Sequence, residues 1–342
     1  MRVRSWIFTF RLPLLMASAA AKRVCILGVG SMGAAVARRL RDCGYGLSLW
    51  NRSQAKAQAL VSEASSIADI ASPTPATAVR ASSPSLPVFF VLTDTAAVLS
   101  TLRSQDMGAA LKGRVLVNLT SGNPDEGREI GQVVDEVSQG EGRLIDGAYC
   151  GPPAKARAGA GQLFLSSASS EAVETHRELL AHLGSVTFAG NVGASRALDY
   201  AVVDLFFVNV LSFMSNKEAL EREGVDIKQV CEEAKKRLDT IPAALELYDR
   251  KMASRCESDY ASNTTVTLST ARSYWASRLP YNEARGIPSH LTELFLELLE
   301  AASGGRGGPH AGADLSRLQE VVRYGGRGEG AAQEPNAKRT KL

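Results

Sequence analysis

The chain has 342 residues, 45% hydrophobic and 22% charged, with a formal net charge of +3. At about 150 residues per domain this length points to two domains, and so balanced a charge lacks the basic field that nucleic-acid binding needs. Five cysteines stand far apart without a Cys-x-x-Cys pair and four histidines lack ligand spacing, which argues against a disulfide framework and leaves no residues for a metal centre.

Residues 1–22 hold Arg2, Arg4, Arg11 and Lys22, apolar stretches over Trp6 to Phe10 and Leu12 to Met16, and no acid before Asp42. Three readings stand open: translation starting at Met16, a mitochondrial presequence, or a secretory signal, the last weakened by Arg11 and Pro13 inside the apolar run. From Arg23 onward, short apolar runs alternate with amphipathic stretches. Strands are predicted at Val24 to Leu27, Leu47 to Trp50, Val88 to Leu92, Val115 to Leu119, Leu144 to Ile145, Leu163 to Ser166 and Val186 to Phe188. Intervening helices include Met32 to Cys43, Pro124 to Val137 and Glu171 to Leu183. Such alternation predicts an α/β fold, a Rossmann-like doubly wound parallel sheet over residues 23–190.

Residues 191–324 read as an all-helical domain, joined by a long interdomain helix from Ser195 to Arg222 and continuing with helices at Ile227 to Leu238, Pro242 to Arg255, Thr267 to Ser277, Ser289 to Ala302 and Asp314 to Val322. The stretch Val202 to Met214 is apolar nearly all round. Asp204 and Asn209 interrupt it before the roughly 20 residues of a membrane span, so a buried helix covered by a second chain is expected, and no membrane partner. Residues 325–342 are Gly, Ala and charge and read as a disordered tail. A cytoplasmic location is expected. The basic extension leaves the mitochondrion open, and Lys338 to Leu342 offers a weak nuclear or peroxisomal signal.

Gly28-Val29-Gly30-Ser31-Met32-Gly33 follows the first strand and opens a helix with Met32, Val36 and Leu40 at helical spacing. The first glycine serves a tight turn, the second the approach of a pyrophosphate, the third close packing of helix on strand, and the helix N-terminus faces the phosphates. The alternative is a glycine-rich turn alone. The second strand ends in Asn51-Arg52-Ser53, where an NAD enzyme would place an acid for the adenine ribose. A guanidinium fork flanked by Asn51 and Ser53 suits a 2′-phosphate, so the expected cofactor is NADPH; a plain surface arginine is the alternative.

Asn118 to Pro124, with the sequence Asn-Leu-Thr-Ser-Gly-Asn-Pro, and Asp146-Gly147-Ala148-Tyr149-Cys150-Gly151-Pro152 follow the glycine loop in the order and spacing of the β-hydroxyacid dehydrogenase superfamily. The segment Gly193 to Val203 resembles the imine reductase and reductive aminase branch of that superfamily, whose members are 6-phosphogluconate dehydrogenase-like. The likeness spans about Arg23 to Tyr324, taking in Asp259-Tyr260 and Ala313-Asp314-Leu315-Ser316. It implies that Leu92, Thr93 and Thr120 join Gly28 to Gly33 and Asn51 to Ser53 at the cofactor. It also implies a homodimer with interlocked helical domains.

In the resembling hydroxyacid dehydrogenases a lysine occupies position 199 and steadies the oxygen of a carbonyl that takes hydride. This chain has Asp199. A carboxylate repels a developing alkoxide but attracts a protonated imine and can relay its proton, so the resemblance implies hydride transfer to a C=N substrate, an imine or a ketone plus amine, with Asp199 catalytic and Ser121 orienting. Cys150-Gly151-Pro152 departs from the family's Ser-Gly-Gly, and Pro152 has no N–H to give. Many reductive aminases carry a tyrosine two turns after the aspartate; Phe207 stands here and cannot donate a proton.

Bland alternatives accompany each residue. Asp199 could serve only the helix dipole, Thr120 and Ser121 could cap the helix at Pro124, and Tyr149 and Cys150 could be packing residues. Two rival functions stay open: a small-carbonyl reductase of the β-hydroxyacid dehydrogenase type, and a non-catalytic NADPH-binding scaffold.

Overall fold

A computed structural model describes residues 22–63, 69–254, 266–305 and 308–324. Residues 1–21 of the extension, Asp259-Tyr260 and the 325–342 tail lie outside the described residues. The chain falls into two compact units that divide between Phe206 and Phe207.

The first unit alternates strand and helix: β1 (Arg23–Leu27), α1 (Ser31–Asp42), β2 (Gly46–Trp50), α2 (Gln54–Ser62), β3 (Ile70–Ala71), α3 (Pro75–Arg80), β4 (Val88–Phe90), α4 (Thr95–Leu102), α5 (Met107–Leu111), β5 (Val115–Asn118), α6 (Pro124–Ser138) and β6 (Arg143–Cys150). It continues with α7 (Pro153–Ala158), β7 (Gly161–Ser167), α8 (Ser170–Thr175), α9 (Arg177–Ala181), β8 (Gly184–Gly190) and the opening turns of α10 (Ala194–Arg222). The strands form one sheet ordered β3-β2-β1-β4-β5-β6-β7-β8. The order reverses between β1 and β4, and in open α/β sheets ligands bind at such a switch point, beyond the carboxyl ends of the strands.

Period-two alternation sorts the strand residues onto two cores. Val24, Ile26 and Phe89 pack on one face, while Cys25, Leu27, Val88 and Phe90 pack on the other. Both faces are covered, so the strands read as unbroken apolar runs. Burial pushes the Cys25 thiol far above its ordinary range, as befits a core residue.

Three details depart from the sequence reading. The sheet is not wholly parallel, because β6 and β7 pair antiparallel. Only residues 151–160 join them, too few for the crossover that a parallel pair requires. A further strand, β3, is too short to show an apolar run. The helix expected over Glu171 to Leu183 divides into α8 and α9 at His176, whose backbone (φ −110°, ψ 9°) leaves the helical region.

In the second unit follow α11 (Ile227–Leu238), α12 (Ile241–Ser254), α13 (Leu268–Ala276), α14 (Arg278–Glu283), α15 (His290–Ser303), a 3₁₀ turn (Leu315–Arg317) and α16 (Leu318–Tyr324). A small core of Leu268, Ala271, Leu299 and Ala302 joins α13 to α15, and Trp275 stacks on Phe295 with ring centroids 4.5 Å apart. Asp314 accepts a hydrogen bond from the Ser316 N–H and pairs with the buried Lys251 at 2.9 Å, so this end of the resembling segment holds the helical fold together.

Within one chain α10 is not buried along its apolar stretch. Phe206, Phe207 and Met214 are 64%, 61% and 65% exposed. Nor do Asp204 and Asn209 cut the apolar run short: by length and composition alone α10 could cross a membrane, with a mean hydropathy of 1.6 over its most apolar window.

Candidate cofactor and catalytic site

The loop between β1 and α1 assigns each glycine a separate steric duty. Gly28 has φ +101°, its N–H donates to the Trp50 carbonyl at 2.8 Å, and a Cβ there would run into the Val91 carbonyl and lie 2.8 Å from Leu92 Cδ2. A Cβ on Gly33 would overlap the Gly28 carbonyl oxygen, so α1 seats directly on its own loop. At Gly30 nothing lies within 4 Å of that position. Two glycines are therefore demanded by the protein itself, and the third opens space at a helix N-terminus, where a phosphate is favoured. Ser31 and Met32 begin α1 with no acid in its first turn. Gly33→Ala is expected to destabilise the domain by about 1–3 kcal/mol, the usual cost of overpacking, and to weaken dinucleotide binding; thermal melts with and without NADPH check both.

At the end of β2 the three predicted residues part company. Asn51 is a brace, not a free donor: its Oδ1 accepts from the Val29 N–H at 3.1 Å and its Nδ2 donates to the Ser53 carbonyl at 3.1 Å. That role for Asn51, and the use of the Val29 amide, were not evident from spacing. Arg52 is exposed and has no carboxylate partner among the described residues. Ser53 is the N-cap of α2 and its side chain makes no capping bond. An uncommitted guanidinium, a free hydroxyl and a helix N-terminus fit a 2′-phosphate and lack the carboxylate that accepts from a ribose diol.

Beyond β4, Leu92 is half-buried and Thr93 exposed, and the Leu92 N–H donates to the buried Thr120 Oγ1 at 3.0 Å. Thr120 thus ties the loop after β4 to the loop after β5. The capping alternative for Thr120 and Ser121 falls away. Asn123 caps α6, accepting from the Glu126 N–H at 3.0 Å while its own N–H donates to Glu126 Oε2, with Pro124 at the first helical position. Ser121 is left exposed at the loop tip.

Asp199 lies in the second turn of α10, past the turn where a helix dipole acts strongly. It is half-buried, its Oδ1 has no hydrogen-bond partner among the described residues, and burial pushes its pKa up from the ordinary carboxylate value. The neutral acid is therefore favoured more than in water, which suits a group that holds or delivers a proton. The turn before it is firmly seated. Arg196 Nε and Nη2 donate to the two carboxylate oxygens of Asp146 at 2.8 Å each, and Ser195 Oγ lies 2.8 Å from Ser166 Oγ and 3.1 Å from the Asp146 carbonyl. Asp146, Ser195 and Arg196 stand within the resembling motifs, but nothing in their spacing signals that they pair.

Tyr149 is a packing residue, its hydroxyl donating to the Leu183 carbonyl at 3.0 Å. The Cys150 thiol is pushed up by burial and then by the charge of Asp199, so it stays protonated near neutral pH and lies close enough to feel that carboxylate. A surface depression of about 490 Å³ opens between Gly151, Lys155 and Ser185 and contains neither Asp199 nor Ser121. Among the described residues no group of three or more potential metal ligands comes together.

Comparison with known proteins agrees with this geometry. A reductive aminase from Aspergillus oryzae, named as NADPH-dependent, is 27% identical over 309 residues, covering 89% of this chain and 98% of its own. An imine reductase from Aspergillus terreus, solved with NADPH4 and dibenz[c,e]azepine, is 24% identical with a TM-score of 0.73, covering 88% of this chain and 99% of its own. An imine reductase from Myxococcus stipitatus, solved with NADP+, is 23% identical with a TM-score of 0.71 at the same coverage, 88% and 99%. The model of the NAD binding domain of 6-phosphogluconate dehydrogenase matches residues 23–193, from β1 through the turn that opens α10, and the chain belongs to that family.

Proposed function

We propose that the protein is an NADPH-dependent oxidoreductase of the imine reductase type, acting on C=N substrates. The observation that carries this reading is Asp199, a half-buried carboxyl with an oxygen unpartnered among the described residues, one turn beyond a seated helix start. Bound NADPH supplies the hydride. Gly28 to Gly33 make room for its pyrophosphate, and Arg52 with Ser53 receive its 2′-phosphate. Asp199 holds the substrate nitrogen as a cation or gives it a proton, and Ser121 orients the substrate from the loop after β5. The names of the Aspergillus and Myxococcus relatives support the same chemistry. Phe207, two turns after Asp199 in the sequence of α10, brings no hydroxyl, which favours a preformed imine over the coupling of ketone with amine.

The test is purified protein with NADPH and a panel of cyclic imines, keto acids and aldehydes, followed by loss of nicotinamide absorbance. Turnover confined to imines is expected. Turnover confined to keto acids or aldehydes would make it a carbonyl reductase, and tight NADPH binding without turnover on any of them would make it a scaffold.

The exposed apolar length of α10 supports a homodimer in which a second copy covers Leu205, Phe206, Val208 and Leu211. Sedimentation of the active protein is expected to give a dimer, and Phe206→Asp is expected to yield monomer or insoluble chain. An active monomer at working concentration overturns the dimer.

A further inference from the structure

The pair Asp146–Arg196 is sealed inside the domain, with 0% and 1% of the two side chains exposed. A buried ion pair seldom adds much stability, since desolvation offsets its attraction, and such pairs can instead be retained to fix one geometry. Here the pair is one link in a continuous chain of hydrogen bonds. The Leu92 N–H donates to Thr120 Oγ1, the Thr120 N–H to Asn118 Oδ1 at 3.2 Å, and Asn118 Nδ2 to Asp146 Oδ1 at 2.9 Å. Asp146 in turn accepts both arms of Arg196, which lies one helical turn before Asp199. The chain thus runs from the cofactor-side loop after β4, through the loop that carries Ser121, to the helix that carries Asp199.

Two glycines make room for it. A Cβ on Gly127, inside α6, would come within 2.5 Å of Asp146 Oδ2 and 2.8 Å of Arg196 Nε. A Cβ on Gly122, next to Ser121, would run into Arg196 Nη1. The guanidinium therefore lies between α6 and the Ser121 loop, and its third nitrogen, Nη1, is buried without a hydrogen-bond partner among the described residues. Glycine inside a helix is a poor former, so its presence at 127 reflects that packing.

We infer that Asp146 and Arg196 are positioning residues, which hold the first turns of α10 in register with the Thr120–Ser121 loop and so set where Asp199 meets the substrate. This deepens the proposed function and rests on it for the role of Asp199. A fork locked onto a carboxylate fixes rotation as well as distance, which a lysine at 196 would not do.

The experiment compares the wild type with Asp146→Asn/Arg196→Gln, which removes both charges but keeps a donor and an acceptor at each position, and with Arg196→Lys. Each protein is measured for NADPH affinity, steady-state reduction of a cyclic imine, and amide hydrogen exchange across residues 194–206. In the double variant kcat is expected to fall about 10- to 100-fold, as misplacement of a reacting group by about 1 Å does. NADPH affinity should stay within about twofold and exchange in 194–206 should accelerate, with the lysine variant intermediate. A folded double variant with parental kcat and parental exchange overturns the inference. So does a fall in kcat matched by equal loss of NADPH affinity, which marks general loosening of the domain. Should the double variant fail to fold, Arg196→Lys decides by the same readings. If the wild type reduces no imine, the proposed activity fails by itself, and exchange across 194–206 still decides whether the pair seats the helix.

Discussion

Asp199→Asn is expected to lower imine reduction by roughly 10²–10⁴, the usual worth of a positioned acid or base, with NADPH affinity nearly unchanged. The substitution keeps shape while removing charge and proton, and the dinucleotide loop with Arg52 lies on other elements. Stability should move in the opposite direction from activity. Burial raises the folded-state pKa of Asp199 above its value of about 3.9 in an unfolded chain, so the fold favours the neutral form. The penalty for ionising it is absent at low pH, develops as pH rises from the unfolded value through the raised folded value, and is constant above. Asparagine escapes that penalty, and the variant should melt at or above the wild type near neutral pH and level with it in acid. A group serving only the helix dipole predicts the reverse, a loss of about 0.3–1 kcal/mol with turnover intact. Melts at two pH values beside initial rates separate the cases, and parental imine turnover in Asp199→Asn would falsify the catalytic role.

Arg52→Ala should weaken NADPH by about 1.5–3 kcal/mol, the range for hydrogen bonds to a charged group, and leave NADH almost untouched. The guanidinium is exposed and carries no competing carboxylate among the described residues, so its loss removes a contact without breaking the fold. Ser53→Ala should give a smaller change in the same direction, since the hydroxyl is free but uncharged. Asn51→Ala should behave differently: it withdraws the acceptor for the Val29 amide and loosens the glycine loop, so both dinucleotides should suffer alike. Titration of each variant with the two cofactors checks the pattern, and equal losses of NADPH and NADH in Arg52→Ala would exclude the 2′-phosphate assignment.

The features legible in the sequence were those written in local spacing. Gly28, Gly30 and Gly33 follow a strand and open a helix, and Arg52 stands just past the end of the next strand, so a single strand–helix–strand unit brings them together. Helix limits such as Ile227–Leu238 follow from period and caps. The Asp146–Arg196 pair could not be read that way, because its members are brought together only by the packing of α10 on β6. The same holds for Asn51, whose partner amide lies across a strand pair, and for the antiparallel turn of β7, where the apolar pattern is identical for either direction. On α10 the residues read as apolar all round, but burial depends on what packs on a helix, and within one chain Phe206 stays 64% exposed.

The two glycines that receive Arg196 place a constraint on how this sequence can drift. Alanine at 127 or 122 is a small change by composition, yet with arginine at 196 it puts a methyl group against a buried ion pair. A shorter residue at 196 would relieve the closest contact at 122, leaving there only the side-chain ends of Glu126 and Thr95, whereas at 127 the Asp146 carboxylate, 2.5 Å from the same Cβ, would still stand in the way. Homologous sequences should therefore show the four sites 122, 127, 146 and 196 changing as a set, with a side chain at 122 only in lineages where the guanidinium has gone and one at 127 only where the carboxylate at 146 has gone with it.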